Sequence, residues 1–262
     1  MNATSVGALL LCRADPSSVR PPVRLLRERQ LLVRAGAEWS VLVPEGRPWR
    51  EGGDPIDGVL TGWASAVSVA TSRPVLALWW DGDRAGFTLA SGFRRPVGYV
   101  WLADGTPVGE DEAMRTFAAR LGLDPVLDVQ DLEPLTLPDP ESDARARLLG
   151  LIAVLARTGL ALPPGLTPGA STDRLRITAA TVGAEVVEWA GWRDAVRGEL
   201  HAAEEGFDHW LREPKGRGYA IGVVQIAIGV PLAIWGLRRR SPGWIAAGAV
   251  LVVNGAVSRR PR

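Results

Sequence analysis

The chain has 262 residues, 47% of them hydrophobic, a formal net charge of +1 and a single cysteine, Cys12. One cysteine excludes an intramolecular disulfide framework, and the length suffices for one or two domains with proper cores. All 29 acidic residues precede Pro214, against 22 of the 30 basic ones, for a net charge of −7 ahead of that point; so acidic a head argues against DNA or RNA as a partner, because phosphate contacts need a basic surface.

Val6 to Cys12 is an unbroken apolar run. It has no basic leader, and Leu11 stands where a lipoprotein cleavage site wants a small residue, so it reads as a buried strand and not as a signal sequence. Pro21 to Glu28 is expected to be helical. "LLVRAGAEWSVLVPEG" gives two strands, Leu31 to Arg34 and Glu38 to Val43, turned at Ala35 to Ala37, with a continuous helix through Leu32 as the competing reading. Asp54 and Pro55 supply an N-cap and first turn for a helix whose apolar face carries Val59, Leu60, Trp63, Ala66, Val67 and Ala70. A meander of three strands follows, Val75 to Trp80, Phe87 to Ala90 and Val97 to Leu102, with Asp81-Gly82-Asp83 closing the first hairpin and Asp104-Gly105 ending the third strand. The spacing of Met114, Phe117, Ala118 and Leu121 predicts a helix from Glu110 to Leu121. Residues 1–130 are therefore expected to form a cytosolic α+β domain, its sheet mixed and largely antiparallel, with helices on one face.

A Pro-rich acidic linker is expected over residues 131–142, and a helical region or stalk over 143–213. Leu148 to Ala156 is apolar but too short to cross a bilayer. Leu175, Ala179, Val182, Val186, Trp189, Val196, Leu200, Ala203, Phe207 and Trp210 alternate spacings of four and three, apart from Arg193, and predict a long amphipathic helix that Gly183, Gly191, Gly198 and Gly206 weaken. Such a stripe needs a partner, in this chain, in another protein or in a second copy. Residues 214–262 read as a membrane hairpin with a basic tail: two uncharged runs, Gly218 to Leu237 and Ser241 to Ser258, joined by an arginine triplet. Gly222, Gly229, Gly236, Gly248 and Gly255 allow close helix approach, and Gln225 and Asn254 fall at nearly equal depth for a mutual hydrogen bond. Six basic residues flank the hairpin and three sit in its loop, which places the N-terminal domain and the C-terminus in the cytoplasm of a multi-pass inner-membrane protein, with the lipid bilayer as partner.

"VLALWWDGDRAGF" carries the best enzymatic hint. A strand ending in Asp81-x-Asp83 offers two hard carboxylates for Mg²⁺ or Mn²⁺ against a phosphate. It resembles the metal motif of nucleotide-sugar glycosyltransferases and, loosely, of haloacid-dehalogenase-like phosphatases, over these residues alone. Ala85 stands where the phosphatase pattern wants Thr or Val, and the only lysine is Lys215. The plainer reading of Asp-Gly between apolar runs is a hairpin turn. His201, Glu205 and His209 are spaced by four, as a zinc site on one helix face would be, although solvated polar positions explain them as well. "EGGDPIDG" lacks the P-loop lysine and the GxGxxG spacing and reads as a loop. Trp49 and Trp80 look exposed enough to mark a binding surface. Taken together, the sequence predicts a membrane-anchored protein presenting an interaction or regulatory domain at the inner membrane face. The alternative is a metal-dependent enzyme acting on a nucleotide-linked or phosphorylated substrate through Asp81 and Asp83; no cofactor is expected.

Overall fold

The computed structural model describes residues 5–51 and 53–189. Its centre is set by two strands with apolar residues at every position, β1 (Gly7–Cys12) and, in chain order the fourth, β4 (Val75–Trp80). A strand without polar alternation has to be covered on both faces. The two pair with each other in the middle of a seven-stranded antiparallel sheet, ordered β6-β5-β4-β1-β3-β2-β7. The remaining strands are β2 (Gln30–Arg34), β3 (Ser40–Pro44), β5 (Arg84–Ala90), β6 (Val97–Leu102) and β7 (Glu185–Val187).

Strand register sorts the core into two layers. On one face Leu32 pairs with Leu42, Leu42 with Leu10, and Leu10 with Ala77. This face packs against Val19 and Val23 of α1 (Pro16–Arg24), Trp49 of α2 (Pro48–Glu51), and Leu60, Trp63 and Val67 of α3 (Ile56–Thr71). On the other, Leu31 pairs with Val43, Leu9 with Leu78, Leu78 with Phe87, and Phe87 with Tyr99. That layer holds Phe117 of α4 (Asp111–Leu121), Leu132 of α5 (Leu127–Leu132), Leu148 and Leu151 of α6 (Ala144–Ala156) and Leu175 of α7 (Thr172–Thr181). Helices therefore lie on both faces, where the sequence reading placed them on one; the unalternated strands are the physical reason.

Local chemistry moves several boundaries. The first helix starts at Pro16, not Pro21, because the Asp15 carboxylate accepts the Ser17 and Ser18 N–H groups at 2.9 and 3.3 Å, and Pro16 supplies a preset first turn. On α3 the expected Leu60, Trp63 and Val67 are buried, joined by Ile56 and Ala64, whereas Ala66 and Ala70, expected on the same face, are exposed. Trp49 and Trp80, expected at the surface, are 6% and 4% exposed; the Trp80 indole N–H donates to Ala170 O at 2.9 Å.

The described part of the stretch expected as linker and stalk, residues 131–189, is bound to the sheet. Within the 3-10 turn Glu133–Thr136, Leu135 O accepts the Trp101 indole N–H at 2.7 Å. The buried Arg147 guanidinium donates to Pro134 O and, at 2.7 Å, to Leu137 O, which spreads a buried charge over two carbonyls. The long amphipathic helix is cut short. α7 ends at Thr181, Gly183 takes φ +78°, and the chain turns into β7, where Val186 pairs with Leu31. An arginine ties that strand down, since Arg20 Nε meets Glu185 Oε1 at 2.5 Å.

Among the described residues no helix is long and apolar enough to cross a membrane. The longest, α3, has 16 residues, about 24 Å at the helical rise against a hydrocarbon core of about 30 Å. Within the described residues this corrects the membrane-anchored architecture expected from the sequence: nothing there supports the bilayer as partner or the multi-pass inner-membrane placement. The residues on which that expectation rested, Gly222, Gln225, Gly229, Gly236, Gly248, Asn254 and Gly255, lie outside the described residues.

Candidate functional site

The Asp81-Gly82-Asp83 sequence folds as the β4–β5 turn. Asp81 N donates to Arg84 O at 3.0 Å; in return the Asp81 Oδ1 accepts the Asp83 and Arg84 N–H groups at 3.3 and 3.1 Å, and Oδ2 accepts Arg84 Nε at 3.3 Å. Gly82 takes φ +94°, the conformation for which glycine is selected. One carboxylate is thus spent on the turn, and Asp83 projects into solvent. No group of three or more His, Cys, Asp and Glu side chains suited to a metal occurs among the described residues. The metal-dependent alternative is corrected on that geometry. His201, Glu205 and His209 lie outside the described residues. Cys12 is buried in the sheet, and desolvation pushes its thiol up to about 12.

A cleft of about 250 Å³ opens beside this turn, between Trp80, Ala85, the start of α6 and Gly169. Its polar groups are committed to the fold: Asp143 caps α6 by accepting the Ala146 N–H at 2.8 Å, and Arg145 Nε donates to Pro168 O at 3.3 Å. The Arg145 stem also lies where a Cβ on Gly169 would fall.

The opposite end of β4, β5 and β6 is different in character. Here the β5–β6 connection, residues 91–96, carries Phe93 at 76% exposure followed by the exposed Arg94 and Arg95. A chain of hydrogen bonds gathers further arginines around it. Ser68 Oγ donates to Arg73 O at 2.7 Å and accepts the Gly92 N–H at 2.8 Å, which sets the exposed Arg73 beside the loop. Arg120, on the last turn of α4, donates to Arg95 O at 2.7 Å. Arg13 donates to Leu121 O at 2.8 Å from its side chain and to Pro74 O at 3.1 Å from its backbone. Five arginines and one fully presented aromatic ring therefore share one end of the sheet.

The nearby carboxylates offset this charge only in part. Glu38 stands 3.9 Å from Arg13, and Asp124 Oδ1 accepts the Val126 and Leu127 N–H groups at 2.8 Å each. Two of the arginines sit at helix C-termini, Arg73 just after α3 and Arg120 in the last turn of α4, where cations complement the helix dipole. That explains their tolerance at those positions; it does not explain a bare phenylalanine between them and Arg94.

Sequence reasoning missed this cluster. The readable signal was "SGFRRP" between two strands, a large apolar residue beside paired arginines in a turn. Arg13, Arg73 and Arg120 are scattered in the chain, and only the sheet order brings them to one end. No protein-family model matches the chain, and neither does any curated protein or solved structure.

Proposed function

We propose that the domain is a recognition module that docks an acidic, partly apolar surface of a partner protein on its arginine-rich end. The observation that carries this reading is Phe93, 76% exposed and flanked by arginines at the tip of a loop held by hydrogen bonds at both sides. A buried phenylalanine contributes about 1.5–3 kcal/mol, whereas each exposed ion pair contributes about 0.2–1 kcal/mol. The ring supplies anchoring and the guanidinium groups supply orientation and choice of partner. An extended polyanion such as nucleic acid is disfavoured by the carboxylates elsewhere on the domain, among them the exposed Asp83, Asp104 and Asp111.

Fluorescence anisotropy with a labelled Glu/Asp-rich peptide containing one leucine tests the reading. Binding is expected to weaken as salt rises, and Phe93→Ala should lose more affinity than Arg115→Ala, which sits in mid-helix with Glu112 as its partner. Equal affinity for a scrambled neutral peptide, or no effect of Phe93→Ala, would refute it. Tighter binding to an oligonucleotide than to the peptide would assign the surface to nucleic acid instead.

A further inference from the structure

Strand direction makes the domain electrostatically two-ended. While residues 91–96 sit at one end of β5 and β6, the β4–β5 turn and the segment after β6 sit at the other. Ala103 N donates to Asp83 O at 2.7 Å, and Ala144 N donates to Ala103 O at 3.3 Å, so the 81–83 turn, the 103–110 segment and the start of α6 come together. That end carries Asp83, Asp104, Glu141 and Asp143. Its two cations are engaged, Arg84 with Asp81 at 3.3 Å and over the Trp79 ring at 5.2 Å, and Arg145 with Pro168 O. An apolar pair lies among the carboxylates. Leu102 and Val108 are 44% and 59% exposed, and the chain holds them in place by folding back on β6 through Leu102 N to Thr106 O and Val108 N to Val100 O, both 2.9 Å.

Phe93 and its arginines at one end thus face a complementary set at the other, an apolar pair ringed by carboxylates. The five steps of β6 from Val97 to Leu102, about 17 Å at about 3.3 Å per residue, keep Phe93 and Leu102 apart within one molecule. We propose that the partner surface is a second copy of this chain: the arginine end of one copy docks on the acidic end of the next, with Phe93 against Leu102 and Val108. This inference rests on the docking reading above. The contact is head-to-tail and uses different patches on the two copies, so it propagates unless the rotation closes a ring.

Sedimentation velocity of the full chain across a concentration series, at low and high salt, provides the test, with two charge-reversed variants at exposed positions. Arg94→Glu/Arg95→Glu makes both ends acidic; Asp83→Arg/Glu141→Arg makes both ends basic. Each variant alone is expected to raise the association midpoint about tenfold or more, the sum of two lost pairs and two repulsive ones. An equimolar mixture should restore wild-type association, because each reversed end then meets its complement. Circular dichroism on each variant checks that the fold is retained. A wild type that stays monomeric, or association unchanged by either reversal, would overturn the inference. If the acidic peptide still binds in a Phe93-dependent manner in that case, the docking reading stands and only the identity of the partner falls; if it does not, both fall.

Discussion

Leu151→Ala tests whether α6 belongs to the same cooperative unit as the central strands. Leu151 is fully buried in the layer shared with Leu78, Phe87 and Trp101. Truncation removes three buried carbons, about 2.4 kcal/mol at about 0.8 kcal/mol each, and the unfilled space raises the cost to about 3 kcal/mol. If the layer opens as one unit, hydrogen exchange in β4 accelerates by the same free energy, about 100-fold. Exchange read by mass spectrometry on peptides covering Val75–Trp80 and Ala144–Ala156 provides the assay. Unchanged protection in β4 beside rapid exchange in α6 would refute the reasoning and make the helix a separately opening element.

Two further outcomes follow from local geometry. Gly105 takes φ +82° and a Cβ there would overlap the Ser142 backbone carbonyl, whereas Gly92 takes φ +57° with open space around its Cβ position; Gly92→Ala should cost about 1 kcal/mol by urea denaturation and Gly105→Ala clearly more. Arg157, which donates to Asp128 at 2.8 Å, and the Asp124 N–H, which donates to the same carboxylate at 2.8 Å, hold the Asp128 carboxyl below its ordinary range. The folded-state value lies below the unfolded one, so the contribution is present at neutral pH and disappears as pH falls through the folded value. Asp128→Asn should flatten the acid limb of stability against pH, and a carboxyl titration followed by carbon-13 NMR should place Asp128 below the ordinary aspartate range.

What the sequence disclosed was the part governed by short-range rules. The unbroken apolar runs of β1 and β4, the Asp-Gly turn, and the spacing of Met114, Phe117, Ala118 and Leu121 on α4 each read directly, because neighbouring residues determine them. Placement of helices on the second face did not, although the same apolar runs demanded it: a strand pattern states how much cover is needed and not which later segment supplies it. Leu175 and Ala179 kept helical spacing with Val182, yet Val186 continued that spacing by coincidence in a strand paired with Leu31. The Asp-x-Asp motif was legible as chemistry but resolved as a turn, since its first carboxylate is used up by the turn's own N–H groups and by Arg84. Charge counting averaged away the proposed docking surface. A net charge of −7 ahead of Pro214 conceals an arginine end and a carboxylate end that only the strand order separates.

The location of the contact tests the central claim most directly. Hydrogen exchange of the full chain with and without the acidic peptide should show protection confined to residues 91–96 and the Arg73 turn, lost in Phe93→Ala. Protection elsewhere, with that loop unchanged, would contradict the assignment of the arginine end as the recognition surface.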